Sequence, residues 1–479
     1  MLASKKRQTL ASLGGIANPL FLSLWLFAFP AVGAKEQPYI SHQEKDYIRD
    51  HIAAEELGLK QQKIPAQELV MRGGLPHFFA KAQAGEPLAV AYFGGSITAH
   101  NGWRPLSFQG LQEMFPESEM TMVNAAVGGT GSIVGVFRAD DDLLPSDPDL
   151  VFIEFAVNDG GDALRRTQDV VRALEGIILK LRQQNPNVGI CFVYTMTANN
   201  EEVIREGFAQ PAVSVHEQVA SWYDLPSIYV GPAVVEAIDS GDAIFTAEVV
   251  DKNSGRDAEG RLVITEDRTH PVIPTGHAFY AGIVERSLEK LAKIPAVDRR
   301  PDPDPIFGES WEKARTVPAE GNALFEGDWQ KLTADDGPRG FRFGARIYDW
   351  FPYLYQTEEP GASVTVRFVG TMVGIKGSFG PDSGIVKIQV DEESETEKNG
   401  FSVYNTRTFY GGSALPELEG GEHTVTWTLS EESPDKGKIL ASYYKPDNDR
   451  DFRENPEKYE SNRFSVGQII LIGEIIPPR

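Results

Sequence analysis

The periodicity of the apolar residues changes once along this chain, near residue 300, and this change restricts the possible folds more than any other feature. Between about Leu75 and Lys293, short apolar runs alternate with segments whose apolar residues recur at helical spacing. Such alternation is typical of a parallel sheet that is covered by helices on both faces. Beyond Ser310 the spacing becomes two residues, which is typical of antiparallel strands. The sequence therefore predicts an α/β domain followed by an all-β sandwich.

The predicted strands of the first region are short runs that contain β-branched and aromatic residues. They are Leu88–Phe93, Thr121–Asn124, Leu150–Phe155, Val188–Tyr194 and Ser227–Val230. Helical spacing is clearest at Arg165–Gln184 and Ala278–Leu291. The period-two runs of the second region are Ser363–Phe368, Thr371–Lys376, Ile385–Val390 and His423–Leu429, followed by a last strand at Gln468–Ile472.

A segment rich in proline and charge separates the two regions. Ile294–Ser310 has the sequence IPAVDRRPDPDPIFGES, which is the composition of a linker. We therefore place the α/β domain at residues 75–295, the linker at 296–315 and the β-sandwich at 316–479. Residues 35–74 are expected to form a helical lead-in.

The first 34 residues have the organisation of an export signal. Lys5, Lys6 and Arg7 precede the apolar run LFLSLWLFAF, and small residues follow as far as Ala34. The alternative, a membrane anchor, is disfavoured because an apolar run of about ten residues is too short to cross a bilayer. We expect cleavage after Ala34 and a secreted or periplasmic protein. The single cysteine, Cys191, lies within an apolar run, so no intramolecular disulfide can form.

The charge balance excludes several classes of partner. The formal net charge of the 479-residue chain is -23. So acidic a surface argues against nucleic acid and against stable association with an anionic membrane. No Cys/His group has metal-site spacing, so we expect no metal and no cofactor.

One strand of the first region ends in two glycines and a serine. The sequence LAVAYFGGSITAH places Gly94, Gly95 and Ser96 directly after the predicted strand Leu88–Phe93. Open α/β folds bind ligands at the carboxyl ends of their strands, so the Ser96 hydroxyl would lie at a potential site. The alternative is that Ser96 merely caps the following helix.

Three other stretches supply the partners that a catalytic serine needs. His270 can act as the base, and Asp267, three residues earlier, can orient it. The oxyanion that develops during attack by a serine nucleophile needs hydrogen-bond donors, for which the backbone of Ser96 and Gly129 and the amide of Asn158 are candidates. Gly128 is the alternative to Gly129.

In this order the four stretches resemble the sequence blocks of the SGNH (GDSL-like) hydrolase superfamily. The segments are GGSIT, NAAVGG, PDLVFIEFAVND and DRTHP. Two positions depart from the family pattern: Gly95 stands where the family usually has aspartate, and Ala156 where it usually has glycine. The resemblance implies a three-layer α/β/α, flavodoxin-like domain and catalysis by Ser96, His270 and Asp267.

Three residues that follow the nucleophile are candidates for contact with substrate. His100 lies four residues after Ser96 and could equally be an exposed surface residue. Trp103 could stack on a sugar ring or belong to the core, and Arg104 follows it.

The second domain resembles the jelly-roll (galactose-binding-like) domain that accompanies SGNH modules in some carbohydrate esterases. The resemblance therefore implies a carboxylic ester hydrolase whose substrate is an acylated, specifically acetylated, carbohydrate. A lipase or general carboxylesterase is one alternative, and it would prefer long acyl chains. The other alternative is an inactive glycan-binding protein, which would neither turn over esters nor react with a serine-directed phosphonate.

Overall fold

The computed structural model describes residues 63–160, 166–295, 301–333, 353–443 and 447–478. The predicted signal peptide, most of the predicted lead-in and the start of the predicted linker lie outside these residues. Within them, no helix is long and apolar enough to cross a membrane.

A six-stranded sheet forms the centre of the first region. Its strands are β1 (Leu69–Val70), β2 (Leu88–Gly94), β3 (Met120–Asn124), β4 (Leu150–Glu154), β5 (Gly189–Tyr194) and β6 (Ser227–Tyr229). The strand order is β1-β6-β5-β4-β2-β3. All neighbouring pairs are parallel except β1 with β6. Every residue of β4 and β5 is buried, because helices cover both faces of the sheet.

The helices of this region connect the strands in sequence. They are α1 (Pro76–Gln83), α2 (Ser96–Ala99), α3 (Trp103–Met114), α4 (Ser132–Asp142), α5 (Ala156–Asp159), α6 (Thr167–Gln184), α7 (Glu201–Arg205), α8 (Pro211–Trp222), α9 (Gly231–Asp239) and α10 (Ala278–Leu291). Helix α6 packs between α4 and α8, whereas α3 packs against α10. Short strands β7 (Ala243–Ile244) and β8 (Leu262–Val263) pair with each other, and a π-helical turn, Ile273–His277, leads into α10.

The predicted helical lead-in is wrong for the part that the structure describes. Leu69–Val70 is a strand, and it pairs antiparallel with β6 at the edge of the sheet. Arg72 fixes this edge because its guanidinium donates to the Leu225 carbonyl at 2.7 Å and to the Glu217 carboxylate at 2.6 Å.

The second region is antiparallel throughout its main sheet. Its strands are β9 (Ala314–Pro318), β10 (Leu324–Glu326), β11 (Gln330–Leu332), β12 (Leu354–Thr357), β13 (Ser363–Phe379), β14 (Ile385–Val390), β15 (Thr396–Asn399), β16 (Phe409–Ala414), β17 (Gly421–Leu429), β18 (Phe464–Val466) and β19 (Gln468–Ile476). The main sheet has the order β15-β14-β17-β13-β19-β9, with β10 and β16 also paired to β13, and a smaller sheet has the order β11-β12-β18. Helices α11 (Lys436–Ala441) and α12 (Arg450–Glu454) lie in the connection before β18.

The two regions share one hydrophobic core. Ala314, Met372 and Ile470 of the β region belong to the same buried cluster as the parallel sheet. Trp311 packs on Phe137 of α4, with ring centroids 6.2 Å apart. The main β sheet therefore packs directly against the helices of the first region, including α4.

Candidate active site

The turn after β2 presents the Ser96 hydroxyl at the carboxyl edge of the parallel sheet. Gly95 is extended and Ser96 begins α2. Gly94 lies so close to β4 that an added Cβ would be 2.5 Å from the Glu154 carbonyl oxygen. The turn can therefore approach the neighbouring strand because a glycine occupies this position.

Ser96, His270 and Asp267 form a continuous chain of hydrogen bonds. The Ser96 Oγ lies 2.8 Å from the His270 Nε2. The His270 Nδ1 lies 2.8 Å from the Asp267 Oδ2. Because an ionised carboxylate only accepts, Nδ1 carries a proton, which leaves Nε2 free to accept the serine proton. The structure thus brings together the three residues that the sequence nominated as nucleophile, base and orienting acid.

The Asp267 carboxylate is held by its own loop as well as by His270. Its Oδ1 accepts the backbone N–H groups of Thr269 and His270 at 3.0 Å and 2.7 Å. Partial burial opposes ionisation, but the hydrogen bonds from His270 and Thr269 outweigh it and lower the pKa of Asp267 well below its usual value. Asp267 is therefore ionised wherever His270 can act as a base.

The three candidate oxyanion donors come from three separate loops. Ser96 follows β2, Gly129 lies in the loop after β3, and Asn158 lies in α5 after β4. The Asn158 side chain lies directly against Gly95, where an added Cβ would overlap its Oδ1. Gly129 has φ +77° with open space around its Cα, so it occupies a turn position that favours glycine.

The buried Asp159, next to Asn158, bonds both to the start of α4 and to His216 of α8. The Asp159 Oδ1 accepts the Ser132 N–H at 2.8 Å, and His216 Nε2 lies 2.9 Å from Oδ2. Both side chains of the pair are buried. Asp159 therefore fixes the position of α5, which carries Asn158, relative to the start of α4. Helix α4 directly follows the Gly129 loop.

Glu154 is a second buried acid, and it lies behind the nucleophile turn. Its two carboxylate oxygens accept the hydroxyls of Thr98, at 2.8 Å, and Thr195, at 2.7 Å. Burial raises the pKa of Glu154 to about 7, although these hydrogen bonds oppose the rise. Glu154 thus connects α2, which carries Ser96, to the end of β5.

His100 lies beside His270, the candidate base. The ring centroids of His100 and His270 are 5.2 Å apart, and those of His100 and His277 are 5.9 Å apart. His277 is buried and accepts the Trp103 N–H at 3.1 Å through Nδ1. Burial lowers the pKa of His277 to about 3, so this imidazole is neutral. His100 therefore lies between the candidate base and a buried neutral imidazole.

The structure does not bring Trp103 and Arg104 to the site surface. Trp103 is fully buried and packs on Tyr92 and Phe152, so it belongs to the core, which was one of the two alternatives. Arg104 is also buried, because its guanidinium donates to the Thr98 carbonyl and to the Asn101 side chain. Neither side chain is exposed for contact with a bound sugar.

Sequence reasoning missed the buried polar residues that support the site. Glu154 had a visible signal, since it is the one acid in the otherwise apolar run LVFIEF. Asp159 and His216 had no such signal, because their pairing is a tertiary contact. In the part of the chain that the structure covers, no group of three or more potential metal ligands is present.

Comparisons with known proteins agree with the fold. Residues 92–247 match the model of the GDSL-like lipase/acylhydrolase family. A crystal structure of a two-domain esterase active on acetylated mannans, co-crystallised with mannopentaose, is similar with a TM-score of 0.63 at 21% identity, and the match covers 86% of this chain and 98% of that one. A second structure of a two-domain esterase active on acetylated mannans gives a TM-score of 0.60 at 21% identity over 83% and 94% of the two chains. No curated protein sequence matches this chain.

Proposed function

We propose that this protein is a secreted serine esterase that removes acetyl groups from a carbohydrate, a proposal supported by the match of residues 92–247 to the model of the GDSL-like lipase/acylhydrolase family. The observation that carries the proposal is the unbroken hydrogen-bond chain from Ser96 through His270 to Asp267. A serine held in this way, beside candidate oxyanion donors, is the arrangement that ester hydrolysis through an acyl-enzyme requires.

In the first half of the proposed reaction, the Ser96 Oγ attacks the ester carbonyl carbon while the His270 Nε2 takes the hydroxyl proton. The carbonyl oxygen becomes an oxyanion, which accepts hydrogen bonds from the N–H groups of Ser96 and Gly129 and from the Asn158 amide. Collapse of this intermediate breaks the bond to the sugar oxygen, to which His270 returns the proton. The sugar leaves as an alcohol and Ser96 remains acylated.

In the second half, water takes the place of the sugar. His270 accepts a proton from the water as its oxygen attacks the acyl carbonyl, and the same donors hold the second oxyanion. The bond to Ser96 Oγ then breaks, His270 returns the proton to that oxygen, and the carboxylic acid is released. Asp267 stays ionised through both halves and orients the imidazole.

The carbohydrate substrate is inferred from three supporting facts. The chain has the two-domain organisation of an esterase active on acetylated mannans. Ser96 is only 8% exposed, and such limited access favours a small acyl group such as acetyl over a long chain. An acidic surface suits a neutral polysaccharide better than an anionic one. Export, which the N-terminal sequence predicts, would bring the enzyme to such a substrate.

The test is acetate release from a panel of acetylated mannan, acetylated xylan and p-nitrophenyl esters of increasing acyl length. We expect release from an acetylated glycan, and a fall in kcat on the order of 10⁶-fold in Ser96→Ala. Preference for long acyl chains would instead support a lipase. No turnover of any ester and no labelling of Ser96 by a phosphonate would refute the proposal, and glycan binding without turnover would favour the inactive binding protein.

A further inference from the structure

A buried arginine connects two of the three loops that carry the oxyanion donors. The Arg138 side chain is 2% exposed and extends from the middle of α4 toward the sheet. Its Nη1 donates to the Ala125 carbonyl at 2.5 Å, in the loop after β3. Its Nη2 donates to the Gly94 carbonyl at 3.2 Å, two residues before Ser96, and to the Thr130 hydroxyl at 3.3 Å, next to Gly129.

These contacts set the spacing between the two backbone donors. The Gly94 carbonyl also accepts the Val127 N–H at 3.0 Å, so the nucleophile turn and the loop after β3 are joined at two points. The guanidinium is planar and carries its donors in a fixed fork, so it resists a change in the separation of its acceptors. It also stacks on Phe93, 4.3 Å from the ring centroid, which leaves it little freedom.

The position of Arg138 depends in turn on Asp142. The Arg138 Nη1 lies 2.9 Å from the Asp142 Oδ2, one helical turn further along α4, and the Asp142 side chain is as buried as the arginine. A buried ion pair of this kind is strongly disturbed when one partner is removed, because the other charge is left uncompensated.

The β domain packs directly on this end of α4. The Thr316 hydroxyl of β9 donates to the Asp141 Oδ2 at 2.5 Å, and the Gln468 amide of β19 lies 3.5 Å from the same oxygen. Lys376 of β13 is buried and donates to the Gln468 Oε1 at 2.9 Å. Burial lowers the pKa of Lys376 to about 8, while the charges of Asp142 and Asp141 oppose this fall. A cation of the β domain thus faces the acidic end of α4.

We propose that Arg138 is a positioning residue for the Ser96 and Gly129 N–H groups, and that the β domain contributes by fixing the end of α4, which also carries Asp142, the ion-pair partner of Arg138. This inference rests on the proposed function and deepens it, since it gives the β domain a part in forming the oxyanion site. The β domain then acts on the chemical step through α4, in addition to anything it contributes to substrate binding.

The test compares Arg138→Lys, Asp142→Asn and Lys376→Met in the full chain. The measurements are kcat and KM for p-nitrophenyl acetate, the Ki of a trifluoromethyl ketone that forms an oxyanion adduct with the serine, and the Tm. In Arg138→Lys we expect kcat to fall by about 10²-fold, as for loss of an oxyanion donor, with KM changed by less than about threefold. The Ki should rise by the same factor as kcat falls. Asp142→Asn and Lys376→Met should show the same pattern at about tenfold.

The matched control is Arg172→Met. Arg172 also joins the two regions through two carboxylates, Glu309 at 2.8 Å and Glu417 at 2.9 Å, and among the described residues these side-chain partners lie outside the loops of the site. We expect this variant to lower the Tm and leave kcat unchanged.

Each outcome separates the two proposals. A wild-type enzyme without turnover or phosphonate labelling refutes the proposed function before any variant is compared. If the wild type is active, and Arg138→Lys and Asp142→Asn both fold with unchanged kcat, the positioning role is refuted and the proposed function stands. If Arg138→Lys does not fold, the other two variants decide, and unfolding of all three would assign Arg138 a purely structural role and overturn the inference.

Discussion

At the scale of single residues, the Asn158 side chain fills the space that a side chain at position 95 would need. A Cβ at position 95 would overlap the Asn158 Oδ1 and lie 2.9 Å from its Cγ. The φ of Gly95 is -91°, which any residue can adopt, so a substitution would act through this overlap and not through backbone strain. The glycine that departs from the family pattern is therefore matched to the position of the Asn158 side chain.

We expect Gly95→Ala to lower kcat by about 10²- to 10³-fold, because the methyl group displaces the Asn158 amide from the oxyanion. KM should change much less, since the displaced group acts mainly in the transition state. Steady-state kinetics with p-nitrophenyl acetate measures both. Asn158→Ala is the matched variant, and the double variant should lose no more than Asn158→Ala alone. Additive losses would show that Gly95 acts by another route.

Asp267→Asn should lower kcat by about 10³- to 10⁴-fold while the loop keeps its shape. An asparagine Oδ1 can still accept the Thr269 and His270 N–H groups, but its amide would donate toward His270 Nδ1. The proton would then sit on Nε2, where it blocks transfer from Ser96. Glu266→Gln, at the exposed neighbouring acid, is the control and should retain full activity. An Asp267→Asn enzyme with near wild-type kcat would remove Asp267 from the mechanism.

Glu154 makes the stability of the protein depend on pH in a defined window. Because burial raises its folded-state pKa to about 7 from an ordinary 4.5, the unfolded chain releases this proton first as the pH rises. The carboxyl therefore favours folding below about pH 4.5, and this advantage declines up to about pH 7.

In Glu154→Gln this decline is absent. The free energy of unfolding of the variant, relative to that of the wild type, should therefore rise between pH 4.5 and 7 by at most about 3 kcal/mol. Urea unfolding of both proteins at several pH values measures the difference, which should be constant above pH 7. A difference that does not vary with pH would mean that Glu154 is ionised in the fold at all these values.

The candidate site residues that the structure brings together could be predicted from sequence, whereas the residues that hold their loops in place could not. Ser96, Asn158 and the Asp267–His270 pair lie in short local patterns at strand ends. Arg138 lies in an ordinary amphipathic helix, and its acceptors are backbone carbonyls of two other loops. No spacing rule links such positions, because the contact depends on how α4 packs.

At the scale of elements, each predicted strand corresponds to a strand of the structure, but two of the predicted strands are one. The predicted strands Ser363–Phe368 and Thr371–Lys376 are a single strand, β13, with a register shift between Gly370 and Met372. Gly370 resembles a turn residue in the sequence. It lies instead against β19, where an added Cβ would overlap the Ile472 carbonyl oxygen. Glycine here permits a bulge and a close approach of strands, and the sequence alone does not separate these from a turn.

The predicted linker is an ordered element over the part that the structure describes. The Ile306 N–H donates to Glu175 Oε1 at 2.8 Å, and the Trp222 indole donates to the Asp304 carbonyl at 2.9 Å. Asp302 also pairs with Arg182. Proline and charge indicated a linker, but the partners that fix this segment lie on α6 and α8 and are remote in sequence.

Glu175→Ala should release this segment, because it removes the acceptor of both the Ile306 N–H and the Tyr223 hydroxyl. We expect a loss of about 1–3 kcal/mol in the free energy of unfolding and new proteolytic cleavage within residues 301–310. Glu175→Gln keeps an acceptor oxygen and is the control, with little new cleavage. Equal cleavage of wild type and Glu175→Ala would show that Glu175 does not restrain the segment.

At the scale of the whole molecule, the two regions are expected to unfold together. Trp311, Ala314 and Met372 belong to the core cluster that also contains the parallel sheet. Gly176 of α6 lets this contact form, because an added Cβ would lie 2.7 Å from the Trp311 backbone. A chain of this length with two sheet types would ordinarily have two separately folding cores, but here part of the β domain completes the core of the first.

Calorimetry of the full chain should therefore give one main transition, whose van't Hoff and calorimetric enthalpies agree. Trp311→Ala removes a buried ring from the shared core and should lower the Tm of that single transition, with a cost of about 3–5 kcal/mol. Trp427→Ala is the matched variant, since Trp427 is equally buried but lies in the second core cluster of the β domain. If the regions are coupled, both variants shift the same transition. Two resolved transitions, of which Trp427→Ala shifts only one, would show that the regions unfold independently. The β domain could then influence Arg138 only while both regions are folded.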